Sequence, residues 1–399
     1  MTKTFVITAT LTLGLGAGPQ PAIDDHADSS KVRIQQVCDT ELVEELRIGT
    51  VTGPEEYSFG EIRDLAVGRD GSIFVADLHP QSVRQFDPTG RFVRQIGREG
   101  QGPGEYTSLL GAAILPDGTL SIWDYGNRRI SVYDSTGAYL RGLRVSGGAV
   151  QRKAFQVDTL GRFYVKVRTE PPRLLPSGRF SDFTYGYARL SPDGRVLDTL
   201  SLPPDNPTGA FAGPDNLRPF PTQEVYALSP FGYLVGGSNE QYSFTIRDPN
   251  GAVTVENEGH QPVPVTGEER REWEAVREYS ERASGISFPA IPRSKPAFRD
   301  LWVDADGRIW VHRYVEAFKR DLPPGQETRS GNVRPNITWR EPQVFDVYSA
   351  QGQFLRCVEL PWGVRLSESR GSFIWGVTKG SFDEEYVVRW RIQREEASR

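Results

Sequence analysis

The chain has 399 residues, a formal net charge of −5, 37% hydrophobic residues and 11% aromatic residues. That length allows two ordinary domains or one large repeat domain. A mildly acidic balance without a basic run excludes a nucleic-acid binder, and 41 glycines with 29 prolines favour short strands joined by many tight turns over long helices.

The first residues, MTK followed by TFVITATLTLGLGAGPQPA, have the single cation, apolar core and small-residue exit of a secretory signal peptide. Residues 1–22 are assigned to it, with Ala17 and Ala22 as alternative ends, and residues 23–40 form a leader. The apolar run is too short and too rich in Thr and Gly for a membrane anchor, and no other segment could span a bilayer. The expectation is an exported protein, periplasmic or extracellular. Cys38 lies in the leader and the second cysteine, Cys357, lies far downstream. In an exported chain they could form a disulfide; the alternative is two separate buried thiols.

From residue 42 onward the chain repeats. RIGTVTGPEEYSFGEIRDLAVGRDGSIFVAD (Arg47 to Asp77) aligns with QIGREGQGPGEYTSLLGAAILPDGTLSIWD (Gln95 to Asp124), a period of about 48 residues that suits four short strands, or one propeller blade. Turns between the first and second strands (a and b) fall at glycines 71, 118, 161, 232, 307 and 371. Turns between the third and fourth (c and d) fall at glycines 90, 137, 194, 251 and 352. Six a–b turns against five c–d turns leave the sixth blade one strand short. LVEELRIG (Leu42 to Gly49) occupies the strand-d position and is expected to pair with YVVRWRIQ (Tyr386 to Gln393), closing the ring. The fold expected is a single six-bladed β-propeller over residues 41–395, and a monomer. The glycine-dense IGREGQGPGEY (Ile96 to Tyr106) is then a link between blades: no helix follows it, and its spacing fits no phosphate-binding motif. Trp123, Tyr133, Tyr164, Trp302, Trp310, Phe345 and Trp375 fall mid-strand and read as packing between blades.

DGTLSIWDYGNRRISVYDSTGAYL and DGSIFVADLHPQSVRQFDPTGRFVRQIG resemble NHL repeats, and GREGQGPGEY looks like the connection of the bacterial six-bladed propellers related to them. That resemblance implies a propeller and, often, export. It implies no single activity, since such rings serve as binding modules, scaffolds, lactonases and lyases.

In this topology the d–a and b–c loops share one face, and the long ones all lie there: 168–185, 203–222, 257–299 and 312–342. The 257–299 insertion carries the one clear helix signal, about 266–284, with Thr266 and Glu269 in capping-box spacing and Trp273, Val276 and Tyr279 on one stripe. It is read as a helix laid on the rim, or as a lid or dock for a partner in an envelope complex.

Four histidines, His26, His79, His260 and His312, do not make a zinc site, because only His79 and His312 fall on the loop-rich face. Calcium would need oxygens from Asp77, Asp124 and Asn127, with Asn239 and Glu240 nearby; otherwise these side chains bond the backbone of neighbouring loops. Cations are more numerous on this face. Arg98, Arg128, Arg168, Lys295, His312 and Arg313, with Arg129 and Lys319, could focus potential on an anionic ligand or protein partner, or could be ordinary surface residues. The function expected is an exported, non-catalytic binding or scaffolding propeller without a cofactor. The alternative is a calcium-dependent lactonase-type hydrolase or lyase with its site at the channel mouth.

Overall fold

The computed structural model describes residues 28–31, 38, 40–145, 155–170, 184–202, 219–285, 287–321 and 334–393. The signal-peptide assignment and much of the long loops at 171–183, 203–218 and 322–333 therefore lie outside the described residues.

Within them the strands form six four-stranded antiparallel blades. Blade one comprises Ile62–Val67, Ile73–Asp77, Ser82–Phe86 and Phe92–Ile96 as strands a to d. Blades two to four span residues 109–144, 155–201 and 224–256. Blade five is Phe298–Val303, Ile309–Arg313, Gln343–Tyr348 and Phe354–Leu360. Blade six takes Arg365–Arg370, Phe373–Lys379 and Glu385–Ile392 as strands a to c, and its fourth strand is Leu42–Ile48 from the other end of the chain. Leu42 pairs with Ile392 and Ile48 with Val387. The register is tied by hydrophobic contact as well: Ile48 and Val387 join Trp375, Ile62, Leu65 and Phe86 in one buried cluster between blades six and one.

All eleven turn glycines have φ between 58° and 150°. A side chain is disfavoured there, which is why glycine recurs at that place in each blade. At Gly71 the turn is also held by Asp70, which accepts from the Ser72 amide at 3.0 Å. Every aromatic expected between blades is buried or half-buried. Trp123, Tyr133, Tyr164 and Trp310 are nearly inaccessible, and Trp302 packs partly buried against Trp310.

The glycine-dense link behaves as a closed loop. Arg98–Glu99 pairs in parallel with Glu105–Tyr106, and the Glu105 carboxylate accepts from the Gly102 amide at 2.8 Å. The rim helix is Gly267–Ser284 and carries both halves of its capping box. Its Trp273 packs on a cluster of Phe220, Val265, Ile291 and Tyr314, so the stripe does lie on the ring. One feature escaped the sequence, and one alternative it left open is resolved. Residues Asp28–Lys31 add a fifth, parallel strand to the outer edge of blade four. Cys38 and Cys357 are bonded, with Cα atoms 5.0 Å apart, so the N-terminal segment meets blades four, five and six in turn.

Candidate functional site

The a strands of the six blades surround a central cavity of about 1080 Å³. Its loop-side half is lined by Asp64, Asp300, His312, Gln343, Arg365 and Ser367. The turn-side half adds Arg69, Phe231, Asp306 and Arg370.

The side chains singled out for calcium do not converge. Asp77, at the end of strand b, accepts from the amides of Gly60, Glu61 and His79 at 3.1, 2.9 and 3.1 Å. Asp124 does the same one blade later, taking the Ser108 amide at 2.9 Å and the Asn127 side chain at 2.6 Å. Asn127 also donates to the Gly100 carbonyl at 3.0 Å. Asn239 is the counterpart in blade four: it accepts from the Gln223 amide at 2.8 Å and donates to the carbonyls of Pro221 and Phe298. These are clips between the b–c loop and the incoming strand a. Glu240 is exposed. Among the described residues no group of three or more His, Cys, Asp or Glu side chains is placed to hold a metal. Asp124→Ala should therefore cost roughly 2–3 kcal/mol in urea unfolding by orphaning the Ser108 and Thr107 amides. The same loss is expected with and without added calcium.

The cations do not converge either. Arg98 is exposed and pairs with Glu105 at 2.9 Å. Arg129 donates to the carbonyls of Gly102 and Glu105, both at 2.8 Å. Arg128, Arg168 and Lys319 are exposed on separate blades two, three and five. Two of the nominated residues are not at a surface. The Lys295 side chain is fully buried between Glu269 at 2.9 Å and Glu341 at 2.8 Å, and it also donates to the Val315 carbonyl. That triad fastens the rim helix to blade five. Arg313 is buried between blades four and five, 3.3 Å from Asp346 and 3.5 Å from the sulfur of Cys357. Asp346 also accepts from Tyr242 at 2.6 Å, and burial holds its carboxyl above the usual range.

Of the residues nominated for the ligand, only His312 lines the cavity. It stacks on Phe345 with ring centroids 4.5 Å apart. Burial, with the nearby Arg299 charge, lowers its pKa to about 3, so it is neutral at physiological pH. Its register partner is Asp300, and Phe345 is the next residue out, so the three form one row across strands a, b and c of blade five. Asp300 is exposed to the channel, yet desolvation by the surrounding protein raises its carboxyl pKa against the opposing pull of the Leu301 amide and the Arg299 charge.

Asp300 was missed by sequence reasoning, although a signal existed. Ile62-Arg63-Asp64-Leu65 and Phe298-Arg299-Asp300-Leu301 are the same strand-a motif in blades one and five, and both blades carry a register shift at that point. In blade one the carboxylate is used by the architecture: Asp64 accepts from the Ala112 amide of the next blade at 3.0 Å. In blade five it is not. Asp300 accepts only from the amide of its own neighbour Leu301, at 2.8 Å, and its second oxygen has no partner among the described residues.

Residues 28–167 match the model of the family DUF5128, described as a 6-bladed beta-propeller. No curated protein matches the sequence. Among solved structures, a member of the DUF4221 family from Bacteroides vulgatus ATCC 8482 is 12% identical. Its alignment covers 89% of this chain and 98% of that one, with a TM-score of 0.52. An exported-protein candidate of Bacteroides fragilis NCTC 9343 is 11% identical, with 92% and 99% covered and a TM-score of 0.49. A gluconolactonase from Xanthomonas campestris is 12% identical, with 89% and 90% covered and a TM-score of 0.39. The family match over residues 28–167 and the ring of six four-stranded blades identify the chain as a six-bladed β-propeller.

Proposed function

We propose that this propeller is an exported binding module that takes a small polar ligand into the loop-side mouth of its central channel. The observation that carries the reading is the cavity of about 1080 Å³ ringed by all six a strands, with polar groups reaching it from blades one, five and six. Volumes near this size suit small-molecule sites. Export is supported by the Cys38–Cys357 bridge, because such bonds persist in oxidising compartments, and by the signal-like N-terminus. No helix among the described residues is long and apolar enough to cross a membrane. Binding without catalysis is favoured over the calcium-dependent alternative because Asp77, Asp124 and Asn127 are each bonded to separate loop backbone.

The test is a ligand-detected NMR screen of sugars, amino acids and small organic acids against the wild type and Ser367→Trp. Ser367 is a small, half-buried residue of the channel wall, so tryptophan there narrows the mouth. Saturable binding that disappears in Ser367→Trp, with circular dichroism unchanged, is the expected result. Binding that survives the tryptophan places the ligand elsewhere. A stoichiometric calcium site abolished by Asp124→Ala would instead favour the hydrolase or lyase reading.

A further inference from the structure

Among the described residues, each acidic side chain on the channel wall apart from Asp300 is engaged by a residue beyond its immediate chain neighbour. Asp64 takes the Ala112 amide. Asp158 and Asp304 are bound by Arg162 and Arg308, and Asp306 takes the Gly371 amide at 2.6 Å. Glu368 lies 3.7 Å from Arg370. The cations near Asp300 are engaged as well. Arg299 pairs with Glu341 at 2.8 Å and lies over the Tyr314 ring. Arg365 donates to the backbone carbonyls of Ile62 and Arg63. His312, in the same row, is uncharged. Arg69, which pairs with no carboxylate among the described residues, is at the far, turn-side end of strand a in blade one.

We infer that Asp300 is the charge partner of a cationic ligand, a protonated amine or quaternary ammonium, bound in the loop-side mouth of the channel. The inference rests on the channel-binding reading and specifies its ligand class. The Asp300 carboxylate stands exposed in the channel with the Leu301 amide as its hydrogen-bond donor, and the nearest cation, Arg299, is shared with Glu341, so a bound cation would supply the direct ion pair that the protein does not. The wall beside it suits the apolar part of such a ligand. Trp302 lies two residues along the same strand and therefore on the same face, and Phe345 completes the row behind His312; both line the cavity. Aromatic faces next to a carboxylate favour ammonium groups. The same position in blade one shows that a carboxylate there can be satisfied by the next blade, so its freedom in blade five is a difference between blades and not a property of the fold.

The probes are choline, lysine and glucosamine as cations, glucose as the neutral counterpart of glucosamine, and gluconate as an anion. Wild-type protein, Asp300→Asn and Ser367→Trp are titrated with each by isothermal calorimetry or ligand-detected NMR. The expected result is saturable binding of at least one cation, weakened tenfold or more in Asp300→Asn and lost in Ser367→Trp, with glucose bound more weakly than glucosamine. Binding of glucose or gluconate that Asp300→Asn leaves intact and Ser367→Trp abolishes would overturn the cation while leaving the channel reading in place. Absence of binding by all three cations would likewise overturn it. Asp300→Asn preserves size and the Leu301 contact, and an unchanged melting curve separates a binding effect from a folding one.

Discussion

Lys295→Met should lower the unfolding free energy by about 3–5 kcal/mol, read from urea unfolding followed by tryptophan fluorescence. The Lys295 side chain is fully inaccessible, and its ammonium lies within 2.9 Å of Glu269 and 2.8 Å of Glu341. Removing the cation leaves two carboxylates in a space closed to water. Glu341 keeps Arg299, but Glu269 loses its only ion-pair partner among the described residues. A second variant separates loss of charge balance from loss of packing. Glu269→Gln combined with Lys295→Met removes one orphaned carboxylate and should recover part of the deficit. If the single variant costs less than about 1 kcal/mol, the triad is no more than an ordinary exposed pair in energy, and its role in fastening the helix falls.

Reducing the Cys38–Cys357 bond, or replacing both cysteines by serine, should destabilise the ring by about 3–5 kcal/mol. The bond joins residues 319 apart in sequence, so in the unfolded chain it restricts nearly the whole propeller. It also holds the segment just ahead of the closing strand against strand d of blade five. Thermal unfolding with and without a reducing agent measures the effect, and the double serine variant should melt where the reduced protein does and ignore the reductant. Alkylation of both cysteines in native, unreduced protein would show that the bond is not formed.

Much of the fold was legible because it is written locally. Each turn glycine, such as Gly71 or Gly90, announces a positive φ through its own identity, and the blade count follows from the spacing of these turns. Closure was legible by subtraction, since one blade lacked a strand and Leu42–Ile48 had no other sheet to join. The capping box of the rim helix was equally local, three residues apart. The site was much less legible. Lys295 and Arg313 look like any basic loop residues until the chain is folded, because the carboxylates that enclose them, at 269, 341 and 346, come from other elements. Asp77 and Asp124 look like ligands because the residue type is right; the amides that occupy them belong to the preceding inter-blade link. Asp300 was concealed by the opposite effect. Its type and position match Asp64, and the difference lies only in whether the adjacent blade offers an amide.

The pairing of Leu42–Ile48 with Glu385–Ile392 has a temporal corollary. Synthesis from the N-terminus delivers this strand first and its partner last, some 340 residues later. Until then the early strand has bare backbone donors and acceptors, and the first blade lacks the neighbour that covers its flank. Contacts between such distant positions form slowly. Rapid completion of the remainder, or a factor that shields the early strand, would decide how much nascent material escapes sticking to itself.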